Sequence, residues 1–403
     1  MSKDHSFQEY KYVYKQTKKE LHGWYVGKDC RRECTSERLL INPYNGCSVG
    51  CFYCYTRALP GYFEEFHKEN KIFVFKNFAE VVEEQISQLY IASCGYLSPT
   101  TDPFQKIEEK ENLSRKIIEI FLKYNIPIEF ITKCKIPQEI IEILKPNYNE
   151  DKNSCKKHCF GQVSILTVNE DLRKILSPNG ANVNELFYNL LLLSKNNIFA
   201  VCRIDPILPY INDKKEHLKE ILLRAKDCGV KHVIASVLDI PIRIYNFVLE
   251  KIKRYFGTSI YYEYKNLYIE KVGYINAKLD YRLRIFDYLR NFCDKYGLTF
   301  ALCMEYKIIN NKKNSFYYEG LNKTFMSSTN CEGVDIPIYI RKPTEKKFYP
   351  AAECLGKCLS CSQPLCGIET LAQGKSLPKG FKLKDYKNFS KLVEQKFEYS
   401  LFK

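Results

Sequence analysis

The chain has 403 residues, of which 45% are hydrophobic and 27% charged, enough apolar material for a sizeable core and too much for disorder as the main state. Lys plus Arg number 62 against 47 Asp plus Glu, a formal charge of +15, and such a surface favours polyanions such as nucleic acid. No run approaches the roughly 20 apolar residues of a membrane span, and the opening MSKDHSFQEYKYVYKQTKKE holds no apolar signal core, so the expected location is the cytoplasm, with no membrane partner.

Residues 1–37 are polar, basic and rich in Tyr, and read as an N-terminal extension packed on the main body. From 38 to 305, short runs rich in β-branched and aromatic residues alternate with segments of helical periodicity. RLLINPY, YIASCGYLS, IPIEFITK, FGQVSILTV, NIFAVCRIDPIL and GVKHVIASVL predict strands. FAEVVEEQISQLY, NLSRKIIEIFLKYN, PQEIIEILK, NVNELFYNLLLLSKN and KKEHLKEILLRAKDCG predict helices. The run Asp213-Lys214-Lys215-Glu216 offers a helix start and Gly229 a stop. Two further helices and a strand, LTFALCME, follow. Serial strand–helix units give a parallel sheet with helices outside. Six units fall short of a closed eight-fold barrel, so the expected fold is α/β, a partial (β/α)6 TIM-like barrel. Residues 306–403 form a Cys-rich C-terminal region ending in a basic tail, and the polar loop over 144–162 is expected to be exposed.

Eighteen cysteines need an explanation, since disulfides are rare in a reducing compartment. Cys202 and Cys228 sit in core-like runs. Cys47, Cys51 and Cys54 form C-x3-C-x2-C in one loop directly after the first strand. Three thiolates there can hold three irons of a [4Fe–4S] cluster and leave the fourth iron open, and parallel barrels place their chemistry at the C-terminal ends of strands. The other reading of the spacing is a zinc loop lacking its fourth ligand.

The triplet, with Tyr53 before its third Cys, resembles the motif of the radical S-adenosylmethionine (SAM) superfamily. Asn42-Pro43-Tyr44, Gly46-Cys47, Tyr55, Arg57 and Thr101-Asp102-Pro103-Phe104-Gln105 resemble the spore photoproduct lyase-like branch, often labelled DNA-repair-photolyase-like. Ile131-Thr132-Lys133, Val163-Ser164-Ile165 and Arg203-Ile204-Asp205-Pro206 fit the same branch. The resemblance implies that a cluster on Cys47, Cys51 and Cys54 binds SAM and cleaves it reductively, giving a 5′-deoxyadenosyl radical that takes hydrogen from a substrate. A reductant such as flavodoxin or ferredoxin would supply the electron. Tyr53, Ser98, Thr101, Asp102, Ser164 and Arg203 are then candidates to contact SAM. A plain barrel hydroxyl is the alternative for Ser164, and an ion pair with Asp205 or Asp102 the alternative for Arg203. In spore photoproduct lyase a cysteine just before the Ser/Thr-Asp segment donates hydrogen. Pro99 stands at that offset here, and Cys94, several residues earlier, is a candidate radical relay or a strand residue.

Cys354, Cys358, Cys361 and Cys366 form C-x3-C-x2-C-x4-C and can enclose a second [4Fe–4S] cluster or a structural zinc. Cys30 with Cys34 and Cys155 with Cys159 are C-x3-C pairs, read as thiols in basic loops or as joint ligands of a further centre. Three functions follow. The first is a radical SAM enzyme modifying or repairing nucleic acid, by lyase or oxidoreductase chemistry. The second is one acting on a peptide or metabolite with an auxiliary cluster. The third is a non-catalytic iron–sulfur protein.

Overall fold

Seven parallel strands carry the architecture of the computed structural model: β1 (Leu39–Ile41), β2 (Gly95–Leu97), β3 (Ile128–Thr132), β4 (Phe160–Ser164), β5 (Phe199–Ile207), β6 (His232–Val237) and β7 (Thr299–Leu302). They pair in sequence order, β1–β2–β3–β4–β5–β6–β7. Registers such as Ile41↔Leu97, Thr132↔Val163 and Ser164↔Arg203 bring all their C-terminal ends to one side. The structure describes residues 9–19, 21–23, 38–147, 153–311, 315–342, 344–351 and 354–362. Cys30, Cys34, Cys366 and the basic tail lie outside them.

Helices α1 (Phe78–Ser87), α2 (Leu113–Lys123), α3 (Gln138–Leu144), α4 (Val183–Lys195) and α5 (Lys215–Asp227) are the crossovers between successive strands. Each offers one apolar face, as Ile117, Ile118 and Phe121 do in α2. Burying side chains of this size is worth about 1.5–3 kcal/mol each, which offsets the entropy of ordering the crossover. Close approach needs glycine at two points. A Cβ at Gly95 would stand 2.5 Å from Phe121, and one at Gly161 2.8 Å from Leu193. The start of α4 is fixed by a capping box between Asn182 and Glu185. At α5 the expected cap fails: Asp213 accepts instead from the Tyr281 hydroxyl, and the helix starts at Lys215 without a side-chain cap.

Between β6 and β7 the chain inserts a small antiparallel sheet and two helices, α6 (Tyr245–Phe256) and α7 (Thr258–Leu267), before the last crossover α8 (Leu279–Tyr296). Within the N-terminal extension, Lys11–Lys15 runs parallel to Lys71–Phe75. After β7, a hairpin of Tyr306–Asn311 with Ser315–Gly320 begins the C-terminal region. One expectation is corrected. The loop before β4 does not expose its thiols, because Cys155 and Cys159 are each 1% exposed beneath the barrel. No described helix is long and apolar enough to cross a membrane.

Candidate active site at the barrel mouth

The cysteine loop leaves the C-terminal end of β1 and is held by side chains from two other strand ends. Gln105 accepts from Ser48 N (2.9 Å) and donates to Gly46 O (3.4 Å). Asn179 donates to Ser48 O (2.8 Å) and, through its backbone, to Val49 O (3.1 Å). Arg57 donates to Cys51 O (3.3 Å) and stacks on Phe66. Gly46 and Gly50 turn the loop at φ of +97° and +84°, a region that favours glycine. The three thiols are near enough to feel one another's charge. Burial pushes the Cys47 thiol well up, and Asp102, Cys51 and Cys54 beside it add to that. Burial also raises Cys51, where the Lys133 ammonium opposes it.

Around this loop stand polar atoms with nothing to bond. Ser98 Oγ, Thr101 Oγ1 and Arg203 Nε are buried and find no hydrogen-bond partner among the described residues, while the Tyr53 hydroxyl has the Cys51 thiol beside it as a partner. Unpaired buried polar groups cost about 1–3 kcal/mol each, and three at one mouth mark a place suited to a polar ligand. Ser98 is also held at φ +57°, a strained value for a non-glycine residue. Among the described residues no three His, Cys, Asp or Glu side chains gather tightly enough for a single metal ion. A cube whose three irons each take one thiolate makes a different demand.

The structure gives other candidates a bracing role. Asp102 has both oxygens occupied, accepting from Phe104 N (3.0 Å), Thr132 Oγ1 (2.8 Å) and Lys133 N (2.7 Å). It therefore ties the β2 end to the β3 end. Ser164 accepts from Lys133 Nζ (2.6 Å) and donates to Asp205 O (3.3 Å). Arg203 pairs with Asp205 and donates to Gln162 (2.8 Å) and to Cys303 Sγ (3.0 Å). The ion pair with Asp205 is thus realised, and Nε is a nitrogen with no partner among the described residues. Cys94 is not brought to the mouth. It precedes β2, is fully buried, and has Arg38, Glu129 and Cys159 as its charged and thiol neighbours.

No known protein-family profile matches the chain. A radical SAM Nα-GlyT isomerase of Pseudomonas phage M6 is 26% identical over 376 residues, which span 89% of this chain and 75% of that one. Over most of its length the chain is thus similar to a radical SAM enzyme. An uncharacterized protein of Methanocaldococcus jannaschii is 23% identical over 180 residues, 44% of this chain and 62% of the relative, so that match spans less than two thirds of the relative. Among solved structures, spore photoproduct lyase complexed with dinucleoside spore photoproduct covers 72% of this chain and 82% of its own, at 11% identity and TM-score 0.49. Streptococcus suis SuiB bound to S-adenosylmethionine covers 66% and 50%, at 13% identity and TM-score 0.43.

Sequence reasoning named Gln105 and Lys133 only within motifs and gave them no role, and it missed Asn179, Gln162 and Cys303. Gln105 and Asn179 clamp the cysteine loop, Lys133 reaches Ser164, and Cys303 touches Arg203. Gln162, which bonds Arg203, carried a signal, a polar residue in phase with Ser164 inside the apolar run FGQVSI. Asn179 carried none, because its contacts are with a loop 131 residues away.

Away from the mouth, Cys354 accepts from Ile338 N (3.4 Å) and packs on Ile91, Ile338 and Ala351. Cys358 and Cys361 follow it in a tight turn closed by Cys361 N to Cys358 O (3.3 Å).

Proposed function

We propose that Cys47, Cys51 and Cys54 hold a [4Fe–4S] cluster, that SAM occupies the barrel mouth, and that the enzyme abstracts hydrogen from nucleic acid to modify or repair it. The observation that carries the reading is the set of bare polar atoms on Ser98, Thr101 and Arg203 beside a loop whose Cys47 thiol is buried with Cys51 and Cys54 as electrostatic neighbours. When bound, the cluster and SAM supply reductive sulfonium cleavage and a 5′-deoxyadenosyl radical. The chain's own residues set the geometry. Gln105 and Asn179 fix the loop, Asp102 locks Thr132 and Lys133, and Asp205 and Gln162 aim Arg203. An Arg203 Nε–H in low dielectric suits a carboxylate such as that of SAM. The hydroxyls of Ser98 and Thr101 suit its amino or ribose groups.

Nucleic acid is favoured by the charge of +15 and the Lys- and Tyr-rich surface. The phage M6 relative is named an isomerase, which favours a reaction that returns hydrogen after rearrangement. The test is anaerobic reconstitution, dithionite, SAM and an oligonucleotide, read by mass spectrometry. The expected result is an oligonucleotide changed in fragmentation but not in mass, formed in excess over 5′-deoxyadenosine, because hydrogen given back by 5′-deoxyadenosine regenerates its radical. 5′-Deoxyadenosine without salt-dependent oligonucleotide binding would transfer the reading to a peptide or metabolite. That second reading is favoured by the turn holding Cys354, Cys358 and Cys361. An iron content of about eight per chain marks two [4Fe–4S] clusters and about four marks one.

A further inference from the structure

Residues 239–278, inserted after β6, leave the barrel at the same end as the cysteine loop. They hold seven Lys and Arg against four Asp and Glu, and seven Tyr. Two of the acids are spent or distant from the outer face: Glu270 bonds Leu279 N and pairs with Arg282, and Asp239 lies in the strand paired to Asn276. The insertion is seated directly on the cysteine loop. Arg243 donates to Ala58 O (3.2 Å), Tyr255 meets Phe52 at 5.7 Å between ring centroids, and Phe247 lies 5.7 Å from the Arg57 guanidinium.

Helices α6 and α7 pack their apolar residues inward, with Val248, Leu249, Ile252, Tyr264 and Leu267 buried. What they leave outside is a run of ammonium groups over phenol rings. Lys253 and Lys265 stand 5.3 and 5.7 Å from the Tyr261 ring, and Lys251 stands 5.9 Å from Tyr255. Tyr262, in edge contact with Tyr261, is 58% exposed. Rings flanked by cations match a chain that alternates flat bases with phosphates. An acidic peptide would satisfy the charge but offer no flat face to Tyr262.

We propose that the outer face of the α6–α7 hairpin docks a single strand of nucleic acid and feeds it to the barrel mouth. The proposal rests on the nucleic-acid reading above and adds the surface that binds. Tyr262 stacks a base while Lys253 and Lys265 meet neighbouring phosphates. The test uses the full, reconstituted chain and a fluorescein-labelled single-stranded DNA of about 12 nucleotides, within the usual span of such sites, titrated by anisotropy at several salt concentrations. The double variant Lys253→Glu/Lys265→Glu is expected to weaken binding about tenfold or more. Its slope of log affinity against log salt should fall by about 1.4, two phosphates at ~0.7 each. Tyr262→Ala is expected to weaken binding about tenfold with the slope kept. Both variants should form 5′-deoxyadenosine from SAM and dithionite at the wild-type rate without DNA, which shows that they fold. Wild-type binding unchanged in affinity and slope by the double variant would overturn this surface alone. Wild-type protein that binds no oligonucleotide would overturn the substrate reading and the surface with it. Poly-glutamate bound as tightly as DNA would overturn the assignment to nucleic acid.

Discussion

The two ends of the barrel are both rich in cysteine and in buried charge, and they are built to opposite ends. At the mouth, three thiols lie within one loop and the Ser98 and Thr101 hydroxyls and a guanidinium nitrogen of Arg203 lack partners among the described residues. At the base, the charges close on themselves. Arg38 donates to Glu332 (2.7 Å) and lies 3.2 Å from Glu129, Gln162 donates to the other oxygen of Glu129 (2.7 Å), and Gln162 accepts in turn from Arg203. Cys94, Cys155 and Cys159 fill the space below, each at most 1% exposed. The residue type does not decide the role. A thiol beside unpaired donors can serve as a ligand, and one sealed under a strand is packing. Gln162 joins the two ends, because it holds both Glu129 of the base and Arg203 of the mouth.

The largest contrast is expected from cysteine substitutions at the two ends. Cys51→Ala should drop 5′-deoxyadenosine below detection and lower iron by about four per chain. Cys155→Ala should keep both and cost only about 1 kcal/mol in a urea titration. Equal loss of product from both would erase the distinction. Next in size is Arg38→Met. It leaves Glu129 and Glu332 buried together without their cation, and removing one partner of a buried ion pair costs about 3–5 kcal/mol. The urea midpoint should fall accordingly, while product formed per folded molecule holds.

The seven strands were legible because each parallel strand is a continuous apolar run between polar turns. The triplet was legible because its three ligands lie within eight residues of one loop. What stayed hidden depends on contacts between distant segments. Asp102 stood out as a carboxylate after a strand, but its bonds to Thr132 and Lys133 exist only once β2 and β3 pair. Glu332, in the C-terminal region, proves to be the partner of Arg38, 294 residues earlier. Cys155 and Cys159 sit in a polar sequence, CKKHC, and their burial follows from the fold above them.

The base also carries the sharper pH dependence. Burial lowers His232 to about 4, where its ring bonds Thr299 Oγ1 (2.8 Å) and Cys331 O (3.0 Å). The unfolded chain takes up that proton near pH 6.5 and the folded one only near 4. Stability is therefore full above pH 6.5 and is lost as pH falls toward 4, by up to about 1.4 kcal/mol per pH unit. His232→Gln should flatten the decline of the urea midpoint across that window relative to wild type. Parallel declines would mean that the ring is protonated in the fold.

The smallest effect is the most discriminating test of how the base is closed. Burial, and then the neighbouring Glu332, push the Glu129 carboxyl well up from its usual value, with Arg38 opposing. Arg38 thus serves two carboxyl groups, and the folded base disfavours ionisation of Glu129 relative to the unfolded chain. The sign follows: this group's contribution is full below pH 4.5 and is lost as pH rises through its folded value. Glu129→Gln places a neutral amide there that can still accept from Gln162 and donate toward Glu332. The variant is expected to match wild type near pH 4.5 and to exceed it by about 1 kcal/mol at pH 8, read as a rise in the urea midpoint. A variant weaker than wild type at both pH values would show that Glu129 is ionised in the fold and is the main partner of Arg38. The closed end would then rest on a charge pair instead of a shared proton.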